Sequence, residues 1–145
     1  MLTTPRSVEL ANELRPVLLQ INRQLRKELA PLGITAVQAA LLHAIRTTPG
    51  IGIRELAERE GMSKPAMTTA IDRLESMALV RRTRSSRDAR RVELELTDKG
   101  QRISRSARSR RTAWLAARLK RLDPQELEAL GDAVAPLRRL LEGAE

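Results

Sequence analysis

Ile53-Arg54-Glu55-Leu56-Ala57-Glu58-Arg59-Glu60-Gly61-Met62-Ser63-Lys64-Pro65-Ala66-Met67-Thr68-Thr69-Ala70-Ile71-Asp72-Arg73-Leu74 decides the fold of this 145-residue chain. Its first eight residues read as a short helix closed by Gly61, which can take the left-handed conformation of a C-cap because it has no Cβ. Ser63 is placed to cap a second helix, and Pro65 falls in that helix's first turn, where a missing N–H costs little. Met67, Ala70, Ile71 and Leu74 make its inward stripe at spacings of three and four. Lys64, Pro65, Thr68, Thr69, Asp72 and Arg73 are left for the other faces. Two short helices joined by a tight turn form a helix-turn-helix. Strand candidates follow at residues 79–84 and 91–96, the second alternating Val92, Leu94 and Leu96 with Arg91, Glu93 and Glu95. Their intervening turn, Arg87-Asp88-Ala89-Arg90-Arg91, is charged and not glycine-rich. The block as a whole predicts a winged helix: mainly α, with a small β-hairpin wing.

Helices are predicted on both sides of this block. Leu10, Leu14, Val17, Leu18, Ile21, Leu25 and Leu29 form an apolar stripe over residues 7–29, with Pro16 inside it as a bend or a boundary. Pro31 and Gly33 then break the helix. Thr35-Ala36-Val37-Gln38 has the form of a capping box opening a helix to about Arg46, which the turn residues Thr47-Thr48-Pro49-Gly50 end. From Thr97 or Asp98 a long helix is expected to about Arg121. Asp123-Pro124-Gln125-Glu126 starts the last one, lined on one side by Leu127, Leu130, Val134, Leu137 and Leu141. A single domain over residues 1–145 is the expectation, with a winged-helix core at 33–97 between terminal helical regions at 1–32 and 98–145.

Charge narrows the partner class. The chain carries 27 basic and 18 acidic residues, a formal +9. The excess is local: residues 81–121 hold 15 basic against 4 acidic groups, whereas residues 122–145 are net acidic at −4. A positive field of this kind attracts polyanions, nucleic acid first and anionic membrane second. Zero cysteines exclude disulfides, thiolate catalysis and thiol redox sensing, and one histidine leaves a zinc site without its usual ligands. With no tyrosine, no paired-carboxylate motif and no phosphate loop, the sequence offers no enzyme chemistry and calls for no cofactor or metal. No apolar run approaches the ~20 residues of a membrane span, and no leader pattern precedes Arg15, so a cytoplasmic protein, on the nucleoid when bound to DNA, is expected.

An exposed helix fits the major groove of B-form DNA, which is about 12 Å wide and displays distinguishable base edges. Ser63, Lys64 and Pro65 at the helix start face phosphate in this reading, Thr68 and Thr69 face base edges or thymine methyls, and Arg73 faces guanine or phosphate. Arg87, Arg90 and Arg91 supply the wing's charge. Arg90 is the candidate for insertion into the minor groove, with Asp88 two residues earlier able to orient it by a charge-assisted bond.

Residues 33–100 resemble the winged-helix core of the MarR family of bacterial transcriptional regulators. The matching features are Ile34-Thr35 with Gln38 and Leu41-Leu42, then Arg54-Glu55-Leu56-Ala57 with Gly61 and Ser63-Lys64. They continue through Ile71-Asp72-Arg73-Leu74-Glu75, Leu79-Val80-Arg81-Arg82, Arg87-Asp88-Ala89-Arg90 and Leu96-Thr97 with Gly100. Their order and joint spacing carry the likeness. It implies a homodimer whose first and last helices interlock through Leu10, Leu14, Leu18, Leu127, Leu130, Val134, Leu137 and Leu141, and whose two winged helices read a pseudo-palindromic double-stranded operator. It also implies a repressor, or less often an activator, and an Asp88–Arg90 pair that serves the minor groove.

Two departures stand out. Ala78 occupies a position where relatives often carry glycine, so a left-handed cap there costs roughly 1 kcal/mol or the helix ends differently. The wing also lacks a second arginine between Asp88 and Arg90, although Arg91 adjoins it. The resemblance further implies a small-molecule effector in a crevice beside the DNA-binding part. With no Phe or Tyr to stack on a ring, His43 and Trp114 are the candidates to line it, against plainer readings as a surface histidine and a packing tryptophan. The rival to a site-specific regulator is a constitutive architectural DNA-binding protein with the same fold.

Overall fold

The computed structural model describes residues 3–143 and divides into two compact units, residues 1–111 and 112–145. Helix α1 (Arg6–Lys27) runs unbroken through Pro16, so the proline is neither a boundary nor a stop. The helix ends two residues short of the expected Leu29, which instead is buried and leads into a 3-10 turn at Ala30–Leu32. Gly33, at φ 71°, closes that turn.

Helix α2 (Ala36–Thr47) opens on the predicted capping box: the Gln38 N–H donates to Thr35 Oγ1 at 3.1 Å and the Thr35 N–H to Gln38 Oε1 at 2.9 Å. Both orphan donors are thereby satisfied. Helix α3 (Ile53–Glu60) ends at Gly61 with φ 65°, and helix α4 (Lys64–Ser76) starts at Ser63, whose Oγ accepts the Ala66 N–H at 3.2 Å. Each of these boundaries follows from a local cap legible in the residue types.

Strands β1 (Val80–Arg84) and β2 (Val92–Leu96) form the antiparallel hairpin, in a register pairing Val80 with Leu96, Arg82 with Leu94 and Arg84 with Val92. The Leu94 N–H also donates to Ile51 O at 2.9 Å, tying the hairpin to the segment ahead of α3. Ala78 takes φ 60°, the strained left-handed cap that the missing glycine implies. Two bonds hold the turn: Thr97 Oγ1 donates to Ala78 O at 2.6 Å and Lys99 Nζ to Met77 O at 3.1 Å. Leu41, Leu42, Ile45, Leu56, Met67, Ile71, Leu74, Leu79 and Leu94 pack the core that these elements share. Helix α5 (Asp98–Leu119) begins against it, where Gly100 is obligatory: a Cβ would lie 2.0 Å from Leu79 O.

α1 has no buried residue, and Leu10 and Leu18 remain more than two-fifths exposed while Leu14 is half-buried. In the second unit, α6 (Pro124–Arg139) opens on a second capping box, Asp123 Oδ1 accepting the Glu126 N–H at 2.8 Å. It too buries nothing. Leu127, Leu130, Val134 and Leu141 are exposed, and Leu137 is half-buried. Among the described residues no single helix is long and apolar enough to cross a membrane.

Candidate nucleic-acid interface

α4 is anchored on one side and open on the other. Met67, Ile71 and Leu74 are each 0% exposed, which fixes the helix's rotation about its axis. Ser63, Lys64, Pro65, Thr69, Asp72 and Arg73 are consequently exposed, and Thr68 is half-buried. The two threonine hydroxyls do not stand free as donors: Thr68 Oγ1 donates to Lys64 O at 3.0 Å and Thr69 Oγ1 to Pro65 O at 3.1 Å. With its proton engaged, each hydroxyl keeps oxygen lone pairs that can accept from an amino donor but has no proton left for an acceptor edge. Ser63 Oγ is used as the helix cap and keeps its own proton and one lone pair to offer.

Arg82 is a residue that the sequence reading missed. Its guanidinium forks to Asp72 Oδ1 at 2.6 Å and Glu75 Oε1 at 3.1 Å, so one strand side chain pairs with both carboxylates of α4 and ties that helix to the hairpin. Strand alternation held the signal: Arg82 shares the inward side with Val80, next to the helix. Arg73 makes no ion pair among the described residues and stays available.

The wing tip is fastened by short-range bonds. Ser85 N–H donates to Arg91 O and Arg91 N–H to Asp88 O, both at 3.0 Å. Ser85 Oγ accepts the N–H groups of Arg87 at 3.2 Å and Asp88 at 3.3 Å. Asp88 Oδ1 accepts the backbone N–H of Arg90 at 3.0 Å. The aspartate therefore shapes an Asx turn and does not orient the Arg90 guanidinium by a charge-assisted bond. Arg87 and Arg90 project from this turn, exposed and without ion pairs among the described residues. Arg91 departs from them: its guanidinium is held at the hairpin base by Gly50 O at 3.3 Å and Glu55 at 3.7 Å.

The two pocket candidates separate. His43 is exposed, its Nδ1 3.1 Å from Arg46 Nη2, and it lines a cavity of about 330 Å³ with Ala39, Ser104, Arg108 and Arg111, all in the first unit. Arg46 Nε donates to the buried Ser104 Oγ at 3.2 Å. Trp114 belongs to the other unit. It lies under the Arg118 guanidinium, 3.9 Å from the ring centroid, a cation–π pair.

The profile of the MarR family matches residues 34–92, the span from the start of α2 to the wing. A helix-turn-helix transcriptional regulator of Mycobacterium bovis is 32% identical over 128 residues, covering 86% of this chain and 87% of its own. The chain belongs to the MarR family. A second relative in the comparison, the transcriptional repressor MdtR of Bacillus subtilis, is 28% identical over 126 residues, with 87% of this chain and 81% of the relative covered. The same fold is seen in Streptococcus pneumoniae FabT, solved in complex with DNA, at a TM-score of 0.79 and 21% identity over 92% of this chain and 99% of that one. Like its relatives this MarR protein is a transcriptional regulator and not an enzyme. The winged-helix fold and the family expected from the sequence are both borne out.

Proposed function

We propose that the chain is a homodimeric, sequence-specific double-stranded-DNA-binding repressor that reads a pseudo-palindromic operator. The observation that carries this is the open side of α4 beside a wing whose Arg87 and Arg90 project without ion pairs. α4 enters the major groove and offers Thr68, Thr69 and Arg73 to base edges, with Ser63, Lys64 and Pro65 near phosphate at its start. Arg90 reaches the adjacent minor groove from a turn set by Asp88; Arg87 adds charge, and Arg91 stiffens the wing's base.

The winged-helix core at 33–97 is the DNA-binding part, and the terminal regions 1–32 and 98–145 are the dimerisation parts. The apolar stripes of α1 and α6, exposed in one chain, support pairing with a second copy. The name of the MdtR relative supports repression over activation. The cavity beside His43 is the candidate seat of a small effector that relieves repression.

Selection of fragments from the source genome, in the presence of random-sequence competitor at physiological salt, tests the reading. A regulator retains one or a few operators with two half-sites about one helical turn apart. Uniform loss to competitor would instead identify an architectural DNA-coating protein.

A further inference from the structure

In B-form DNA a sugar-phosphate strand separates the major groove from the neighbouring minor groove. A protein that lays α4 in one groove and a wing tip in the next must straddle that strand. Between those two elements lies an open cleft of about 580 Å³. Its lining includes Lys64 from the first turn of α4, Arg90 and Arg91 from the wing, Arg54 and Glu58 from α3, and Gly52, which has no side chain to fill the space. Four cations from three separate elements thus converge. Arg91 is committed to Gly50 O and Glu55, whereas Arg54, Lys64 and Arg90 are exposed and in no ion pair among the described residues.

We propose that this cleft seats the DNA backbone segment between the two grooves, and that Arg54 of α3 is a phosphate contact outside both reading elements. The proposal rests on the DNA-binding reading above. Of the two carboxylates in the cleft, Glu55 is already paired with Arg59 and Arg91, while Glu58 has no ion pair among the described residues. Glu58 therefore stands against the incoming phosphates and lowers the affinity that the arginines supply. α3 thus brings two opposing residues one helical turn apart to the cleft, a gripping one and a restraining one, and neither lies among the residues expected to read sequence.

The test is the salt dependence of full-length protein binding to a random-sequence duplex, followed by fluorescence anisotropy. Arg54→Ala should lower the slope of log affinity against log salt by about 0.9 for each winged helix engaged. Arg54→Lys should keep it, since a point charge suffices for phosphate. Glu58→Gln should tighten binding at low salt, with the gain fading as salt is raised. A misfolded variant does not bind more tightly, so this second arm stands apart from any folding defect in the first. Wild-type protein with a steep slope, an Arg54→Ala slope equal to it and no gain from Glu58→Gln would overturn the cleft assignment alone. Wild-type protein indifferent to duplex DNA would overturn both this and the DNA-binding reading.

Discussion

The stretch from Leu29 to Ala107 and the terminal helices α1 and α6 are built from similar aliphatic residues and treat them in opposite ways. The first buries 18 apolar side chains and leaves no buried side-chain polar atom unsatisfied among the described residues. α1 and α6, 22 and 16 residues long, bury none. An amphipathic helix gains most of its stability from packing its apolar face, so two such exposed faces are what the proposed pairing with a second copy would cover. The core is set by contacts within one copy, whereas in the dimer proposed above the ends are set by contacts between copies.

The largest expected effect tests the open half of this contrast. Leu127→Asp together with Leu130→Asp removes four leucines from a dimer, at about 1.5 to 3 kcal/mol for each one buried there. Sedimentation should show monomers, while the protein's circular dichroism retains the α2–α5 helices. A dimer surviving both substitutions would mean that α6 faces solvent and that the apolar stripe has another purpose. Next in size is the closed half. Leu74→Ala should cost about 2 to 5 kcal/mol in urea denaturation, because Leu74 is fully enclosed and its removal leaves a cavity. The loss from Leu74→Ala should not be recovered by raising protein concentration, whereas the Leu127/Leu130 defect should lessen.

Much of this architecture was legible in short sequence windows. Thr35 with Gln38, Ser63, Gly61 and Asp123 with Glu126 each terminate a helix through bonds spanning three residues or through a single backbone angle, and each did so where the residue types placed it. Pro16 was harder: a proline inside a helix removes one bond but does not have to end it. The site was legible as a set of positions and less so as a set of partners. Arg82 and Asp72 are ten residues apart, and Arg91 reaches Gly50 across 41, so no local pattern announces either contact. Helix periodicity and residue type place Thr68 and Thr69 against base edges or thymine methyls, but do not reveal that their hydroxyls donate to carbonyls one turn back in their own helix.

Ala78→Gly probes the seam of the closed half at smaller scale. Ala78 pays for φ 60° with steric strain, and Thr97 and Lys99 hold the turn in place from across it. Glycine relieves that strain and loses part of the gain to the greater freedom of the unfolded chain, so the expected stabilisation is about 1 kcal/mol, measured as a rise in denaturation midpoint with unchanged m-value. Destabilisation would show that the Cβ makes a contact worth more than the strain.

The smallest effect separates two roles for one aspartate in the wing. If Asp88 acted through its charge on the Arg90 guanidinium, Asp88→Asn and Asp88→Ala would weaken duplex binding alike. In the structure its Oδ1 accepts the Arg90 backbone N–H, and an asparagine oxygen can accept the same bond. Asp88→Asn should therefore bind duplex DNA at least as well as the wild type, having also removed a negative charge beside the phosphates. Asp88→Ala should lose the turn and about 0.5 to 1.5 kcal/mol, the net worth of one such hydrogen bond. Anisotropy titrations of the two variants at one salt concentration decide it, and equal losses would return Asp88 to the charge-assisted role. The ordering Asn above Ala would place the wing with the core, as an element whose shape is fixed within one copy before any partner arrives.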